Sequence, residues 1–280
     1  MMTNSKEQSP APAAKNGFSL ITDEKLLEIY ATMLKCRMVE DRARILLKMN
    51  SLNGDAGAGQ EAIAAAVGID LLPEDTLRVI PDALIHLFVK GLPLGELFAR
   101  PLKAVAPALS FAAQLKLSTG DAVAFKANKN NEIAVVFSSS EFTYHESWLE
   151  ALRFAGAQRL PILFVSQGTN QPASPDAQSN GRRSRLKGKT YGFPAITVEG
   201  NDAVAVYRVA CEAIAHARKG DGPTLIECQC WQEGDALMNM EKYLIRKGLF
   251  SEKFKRQVEG GFIEELDAVE QVTEKGRKKK

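Results

Sequence analysis

The sequence has 280 residues, of which 45% are hydrophobic and 25% are charged, and its formal net charge at pH 7 is +2. This length is sufficient for a folded domain with a large core, and the near-neutral charge gives no general reason to expect nucleic acid or membrane binding. The four cysteines lack the spacing of a zinc site. We therefore expect a globular protein with reduced thiols, located in the cytoplasm.

The first elements in chain order are predicted to be helical. Residues 1–17 are polar and rich in Pro, Ala and Ser, and they predict a disordered tail without the features of a signal or transit peptide. Apolar residues then recur at helical spacing over 23–49, after a candidate cap at Thr22. A glycine-rich break at 53–59 follows, and further helices are predicted over 61–72, 84–99 and 105–119.

From residue 133 onward, short apolar runs alternate with amphipathic segments. The predicted strands cover 133–137, 161–167, 196–200 and 224–231. Predicted helices cover 147–159 and 202–220, and two more helices lie between 235 and 272. This alternation is typical of a parallel sheet with right-handed crossovers and helices on both faces. The sequence thus predicts a single α/β domain over 18–272 and a basic tail at 273–280.

Three serines, Ser138, Ser139 and Ser140, follow the apolar run at 133–137. In a parallel α/β sheet, ligands usually bind at the carboxyl ends of the strands. The serines have neither the glycines that allow phosphate to approach the backbone nor the carboxylate that magnesium prefers. Two interpretations remain open, an unusual binding loop and a loop that has lost its ligand.

Three other stretches are candidates for chemistry or binding. The glycine-rich stretch at 53–59 does not follow a strand, so a flexible connection is favoured over a phosphate loop. Glu141, His145 and Glu146 have the spacing of a small metal set, but no fourth ligand is evident and a polar helix start is favoured. The basic run at 181–189 could attract nucleic acid or an acidic partner, although a solvated charge run is simpler.

Eight segments in a fixed order carry a family resemblance: KLLEIYATMLKCRMVEDRARIL, GQEAIAAAVGIDLLPED, GLPLGELFA, EIAVVF, EALRFAGAQRLPILFV, YGFPAITVEGNDAVAVY, GPTLIEC and MEKYLIRKGLF. From about Leu20 to Val272, this order resembles the alpha subunit of the decarboxylating component of 2-oxo acid dehydrogenase complexes, the pyruvate and branched-chain type. The resemblance implies a thiamine-diphosphate-binding-type parallel sheet flanked by helices, with helical N- and C-terminal extensions. It also implies a beta-type partner subunit in a heterotetramer.

The family oxidatively decarboxylates pyruvate or branched-chain 2-oxo acids with thiamine diphosphate, which is held through magnesium. The resemblance places the family's magnesium-binding aspartate within Ser138–Ser140, to within one residue, and its asparagine ligand at Thr169. Ser139, Ser140 and Thr169 are thus the family-equivalent cofactor positions. Because none of them is the expected ligand, we expect thiamine diphosphate and magnesium not to be bound by this chain.

Other functional positions of the family also differ. Arg153 replaces an asparagine, and an arginine and histidine pair would fall at Asp82 and Leu84. His86 is nearby, where a half-buried helix residue is favoured over a displaced base. The loops that carry further catalytic histidines are missing, so no catalytic residue and no metal ligand is assigned.

Three hypotheses about function follow from these residues. The first is an alpha-subunit-like member of the family that is impaired in cofactor binding. The second is a non-catalytic pseudoenzyme that acts as a structural or regulatory partner of a beta-type subunit. The third is binding of nucleic acid or an acidic partner through the basic run, which the overall charge does not favour.

Overall fold

In the computed structural model, the described residues are 21–46, 60–80, 84–99, 109–129, 131–169, 191–231 and 234–277. The predicted tail at 1–17, the break at 53–59 and the basic run at 181–189 lie outside these ranges. The described residues form a parallel five-stranded sheet with helices on both faces, which confirms the predicted α/β class. No helix in these ranges is long and apolar enough to span a bilayer.

The strands of the described residues form one sheet, and helices precede, connect and follow them along the chain. The helices are α1 (Asp23–Leu46), α2 (Gln60–Gly68), α3 (Leu84–Val89), α4 (Leu94–Ala99), α5 (Phe111–Asn128), α6 (Glu146–Gln158), α7 (Ala203–Arg218), α8 (Ala236–Lys247) and α9 (Glu252–Arg277). The strands are β1 (Thr76–Ile80), β2 (Ala134–Ser139), β3 (Ile162–Thr169), β4 (Ala195–Glu199) and β5 (Thr224–Cys230). A 3-10 turn (Ser140–Tyr144) follows β2, and the strand order is β1-β2-β3-β5-β4.

Strand β1 is an edge strand that the sequence analysis did not predict. It is five residues long, and among the described strands it pairs in parallel with β2 only. Its central residue, Arg78, is charged and forms an ion pair of 2.8 Å with Asp121 on α5. A short run with a charge at its centre lacks the apolar signature of a buried strand, so only the pairing with β2 defines it.

The range 84–99, which is predicted to be helical, contains two helices with a break between them. Gly91 has a φ of 96°, the left-handed conformation that commonly ends a helix. Pro93 follows, and α4 begins immediately after it. The helix predicted over 105–119 is placed too early, since α5 begins at Phe111 and continues to Asn128.

The two faces of the sheet pack against different helices. Val135, Phe137 and Val165 belong to a buried cluster with residues of α1, α2, α7 and α8. Ala134 and Phe164 instead belong to a cluster with residues of α5 and α6. We call these the α7 face and the α5 face. Because successive strand residues alternate between faces, the alternation determines which side chains meet at each strand end.

A buried ion pair joins three distant segments at the amino ends of the strands. Asp75 accepts hydrogen bonds from the backbone N of Ile133 at 2.9 Å and from Arg218 Nη1 at 3.0 Å. Arg218 Nη2 lies 2.5 Å from the second carboxylate oxygen, and the Asp75 side chain is fully buried. The contact fixes the end of α7 against the starts of β1 and β2.

Candidate functional site

The three family-equivalent cofactor positions lie together at the carboxyl edge of the sheet. Ser139 is the last residue of β2 and pairs in register with Gln167 of β3. Ser140 begins the 3-10 turn, and Thr169 is the last residue of β3. The structure therefore brings these positions to one place, at the neighbouring ends of two parallel strands.

The serine hydroxyls make hydrogen bonds within their own loop. Ser138 is buried, and its Oγ donates to the carbonyl O of Ser139 at 3.2 Å. The Ser139 Oγ accepts from the backbone N of Glu141 at 3.4 Å and caps the 3-10 turn. Thr143 Oγ1 donates to the carbonyl O of Ser140 at 2.7 Å. β2 thus passes directly into a turn that is closed by local contacts.

The side chain of Ser140 lies directly over Gly168 of β3. A Cβ atom at position 168 would overlap Ser140 Oγ and would lie 2.6 Å from Ser140 Cβ. No side chain tolerates such distances, so the two strand ends approach this closely only because residue 168 is glycine. Sequence analysis placed the loss of glycines in the serine loop, but it did not identify this role for Gly168.

Aromatic rings cover the 3-10 turn from the side of α5. The Phe142 ring stacks on Phe111 with 4.8 Å between centroids, and Trp148 of α6 lies 6.4 Å from Phe111. The His145 ring contacts Phe111 edge-on at 5.2 Å. Its Nδ1 accepts from the backbone N of Ser147 at 3.2 Å, which caps α6.

The alternative metal set gains no support from this geometry. Glu141, His145 and Glu146 are all exposed, and Glu146 lies 3.4 Å from Arg153. Across the ranges that the structure describes, no group of three or more His, Cys, Asp or Glu side chains could hold a metal ion. The Nδ1 atom of His145 is engaged as a helix cap, which is the polar helix start that the sequence favoured.

His86 lies on the opposite face of the same strand ends. The prediction of a half-buried residue is wrong, since the side chain is fully buried and lies edge-on against Phe137 at 4.4 Å. Its Nε2 is 3.0 Å from Nε2 of Gln167, while His86 Nδ1 and Gln167 Oε1 are buried and have no hydrogen-bond partner among the described residues. Burial lowers the pKa of His86 to about 3, so the imidazole is neutral.

The pairing of His86 with Gln167 could not be read from the spacing of the two residues, which are 81 positions apart. The sequence nevertheless contained part of the information needed to predict this contact. Gln167 follows Val165 on the α7 face by strand alternation, so its polar side chain had to find a partner among the helices on that side. Asp82, the family-equivalent arginine position, lies outside the described residues.

The motif Gly59-Gln60-Glu61-Ala62 contributes to a partly buried ion-pair network. Glu61 is buried and forms an ion pair with Arg37 of α1. Arg37 also contacts both carboxylate oxygens of Asp235, at 2.9 and 3.1 Å. Asp235 in turn caps α8, so this arginine joins the N-terminal ends of α2 and α8.

The motif Gly200-Asn201-Asp202 also has a structural role. Asn201 Oδ1 accepts from the backbone N of Trp231 at 2.6 Å, and its Nδ2 donates to the carbonyl O of Gly234 at 2.6 Å. Asp202 caps α7 through hydrogen bonds from two backbone N atoms. The side chain of Asn201 therefore holds the segment that follows β5.

The described residues at the β2 and β3 ends do not fit a magnesium-bound diphosphate. Magnesium requires a near-octahedral set of oxygen ligands, usually including carboxylates. The serines provide neutral hydroxyls, and Ser140 occupies the space over Gly168. Two grooves of the described structure lie elsewhere: one of about 630 Å³ lies between the start of α7 and α8, and one of about 230 Å³ lies between α5 and α6.

Comparisons with known sequences identify similar proteins in one family. A family model for the dehydrogenase E1 component matches residues 96–234. The pyruvate dehydrogenase E1 component subunit alpha of Staphylococcus aureus is 29% identical over 277 aligned residues, which cover 85% of this chain and 75% of the relative. The corresponding subunit of Staphylococcus epidermidis is 28% identical over the same coverage.

Comparisons with solved structures establish the fold. A Pichia stipitis transketolase in complex with sedoheptulose 7-phosphate has a TM-score of 0.52 at 14% identity, and the match covers 90% of this chain and 46% of that chain. A mutant of the same enzyme has a TM-score of 0.51 at 16% identity, with 91% and 45% covered. This chain thus spans less than half of the transketolase chain and shares its fold type. In sequence, it resembles the alpha subunit of the dehydrogenase E1 component over most of its length.

Proposed function

We propose that this chain is an alpha-type subunit of a 2-oxo acid dehydrogenase assembly, and that it pairs with a beta-type subunit without binding thiamine diphosphate and magnesium itself. The observation that carries this proposal is the end of β2. There, Ser139 and Ser140 replace the expected magnesium-binding carboxylate, and their loop closes on itself. A neutral hydroxyl removes a negative charge from a position that would face a divalent cation.

The retained contacts support a role in assembly. Glu61, Asn201 and Asp202 belong to the family-like motifs, and all of them hold helix ends or connecting segments in place. The relatives that match most of the chain are alpha subunits by name. A chain that keeps its scaffold contacts and loses its metal-ligand positions is suited to pair with another subunit rather than to perform the reaction.

The second candidate is a catalytic alpha subunit, in which the assembly oxidatively decarboxylates pyruvate or a branched-chain 2-oxo acid. The names of the relatives favour it. It requires that the cofactor be held by groups other than Ser139, Ser140 and the backbone of Gly168. A pseudoenzyme that regulates or supports a beta-type chain remains the function that the site favours.

One experiment separates these two candidates. The chain is co-expressed with the beta-type subunit of the same organism, the mass of the complex is measured by light scattering, and calorimetry is performed with thiamine diphosphate and MgCl2. We expect a stable hetero-oligomer and no magnesium-dependent binding by the isolated chain. A monodisperse chain that does not form a complex with the beta-type subunit contradicts the assembly role. Micromolar, magnesium-dependent binding of thiamine diphosphate contradicts the loss of the cofactor.

A cytoplasmic location is part of the same proposal. The described cysteines are all free thiols, and Cys36, Cys228 and Cys230 are buried. Free, buried thiols are common in reducing compartments. Nucleic-acid binding is not proposed, since the only feature in its favour is the basic run at 181–189, outside the described residues.

A further inference from the structure

We propose that the protein itself closes the carboxyl ends of β2 and β3 on both faces of the sheet, so that a phosphate-bearing cofactor is excluded by packing as well as by the missing metal ligand. This inference rests on the proposed function, because it concerns the same site. It goes beyond the proposed function in one consequence. If packing also excludes the cofactor, restoring a single carboxylate at the end of β2 does not create a binding site.

On the α5 face, closure depends on the contact between Ser140 and Gly168. A ligand oxygen at the end of β3 would need the space that the Ser140 Oγ and Cβ atoms occupy, within 2.6 Å of a Cβ position at residue 168. The turn cannot easily swing away, because Thr143 Oγ1 holds the carbonyl of Ser140 at 2.7 Å. The stacking of Phe142 on Phe111 fixes its outer side.

On the α7 face, His86 closes the same strand ends. Its ring lies against Phe137 of β2, and its Nε2 contacts Gln167 of β3, so the imidazole spans both strands. The ring is buried and neutral, and it therefore offers no positive charge to a phosphate. The unpartnered His86 Nδ1 and Gln167 Oε1 atoms add one donor and one acceptor, which differs from the several donors that a diphosphate needs.

Two substitutions separate closure from simple ligand loss. Ser140→Asp and Ser139→Asp each return a carboxylate at one of the two serines that are family-equivalent cofactor positions. Closure predicts that neither variant binds thiamine diphosphate, or inorganic pyrophosphate, in the presence of MgCl2 by calorimetry. Ser139→Asp is also the matched control for charge, because Asp caps a turn as well as Ser does and the fold should be retained.

The packing itself is tested by a double-mutant cycle at positions 140 and 168. Gly168→Ala should raise the unfolded-to-folded ratio about tenfold or more, because the new methyl group overlaps the Ser140 side chain. Combined with Ser140→Gly, the same substitution should lose most of this effect, since the space is then free. Gly120→Ala in α5, where a Cβ meets nothing within 4 Å, is the control for adding a methyl group.

The outcomes are distinguishable. Micromolar, magnesium-dependent binding by either aspartate variant, with none by the natural chain, overturns closure and leaves the proposed function intact. Binding by the natural chain overturns both. Additive effects of Gly168→Ala and Ser140→Gly also overturn closure, and this result remains available if an aspartate variant does not fold. No binding together with strong coupling between residues 140 and 168 supports the inference.

Discussion

At the scale of single residues, one buried and one half-buried ionisable side chain give the protein opposite responses to pH. His86 is neutral because burial lowers its pKa to about 3. Glu40 of α1 has its pKa raised to about 7 by burial and, secondarily, by the charge of Glu61. The folded state therefore takes up fewer protons than the unfolded state at His86 and more at Glu40, which makes stability fall on both sides of an optimum.

Acid should destabilise the protein through His86. An unfolded histidine gains a proton near pH 6.5 and the buried one does not, so stability is fully present above pH 6.5 and is lost as the pH falls. At pH 5 the loss should reach about 2 kcal/mol. Urea unfolding between pH 5 and 7.5 measures it. In His86→Gln this part of the slope should disappear, and an unchanged slope contradicts the assignment.

A rise in pH from 4.5 to 7 should destabilise the protein through Glu40. Its folded pKa of about 7 lies above the ordinary value of 4.5, so its contribution to stability is fully present below pH 4.5 and is lost as the pH rises to about 7. Glu40→Gln should therefore be more stable than the natural chain at pH 8 by on the order of 1–3 kcal/mol, with little difference at pH 4. Asp41→Asn on the same helix controls for the change in net charge, and an equal gain there contradicts the prediction.

At the scale of elements, α9 shows a helix that packing maintains against weak local propensity. It extends over 26 residues and contains the adjacent glycines Gly260 and Gly261. Phe262 and Leu266 bury its inner face against α1 and α4 residues. Glycine in a helix interior is unfavourable, so the tertiary contacts of Phe262 and Leu266 must stabilise the helix at the two glycines.

Alanine at either α9 glycine should stabilise the protein. A Cβ at position 260 or 261 meets nothing within 4 Å, so the gain is the helix propensity of about 0.5–1 kcal/mol for each substitution. The measurement is the midpoint of thermal or urea unfolding. Gly68→Ala in α2 is the matched contrast, since its Cβ would lie 2.6 Å from Val89 Cγ1. We expect destabilisation there, and a gain of equal size at all three positions contradicts the argument.

At the scale of the whole molecule, long-range polar contacts stabilise the packing at both the amino and the carboxyl ends of the strands. Asp75 and Arg218 hold the amino ends of the strands, and Arg37 holds the helices that begin at the carboxyl edge. Each contact links residues far apart in sequence. The contacts that hold the scaffold and the contacts at the strand ends are thus separate parts of one fold, so our proposal that the metal ligands are missing does not require the scaffold to differ.

Removal of Arg218 should destabilise the whole molecule. Arg218→Met leaves the Asp75 carboxylate buried without its cation, which should reduce the free energy of unfolding by about 3–5 kcal/mol. The matched control is Arg208→Met on the same helix, where the arginine is exposed. In the double variant Asp75→Asn/Arg218→Met the loss should shrink, because no unpaired charge remains. Equal effects of the two arginine substitutions contradict this role.

The sequence by itself determined the α/β class and the order of the strands β2 to β5 along the chain, and it predicted the positions that are equivalent to the family's ligands. These properties follow from local patterns: apolar runs of strand length, helical periodicity, and motifs such as Gly200-Asn201-Asp202 that lie close together in the chain. The serine stretch at 138–140 was visible for the same reason, since the strand that carries it is strongly apolar.

Only the tertiary structure decided how the strand ends are filled. The contact of Ser140 with Gly168 and that of His86 with Gln167 join residues from separate elements, and no periodicity encodes such pairs. Strand β1 belongs to this category too, because its pairing with β2 defines it more than its composition does. Local sequence determines which face a side chain occupies, whereas the packing of distant elements determines what that side chain meets.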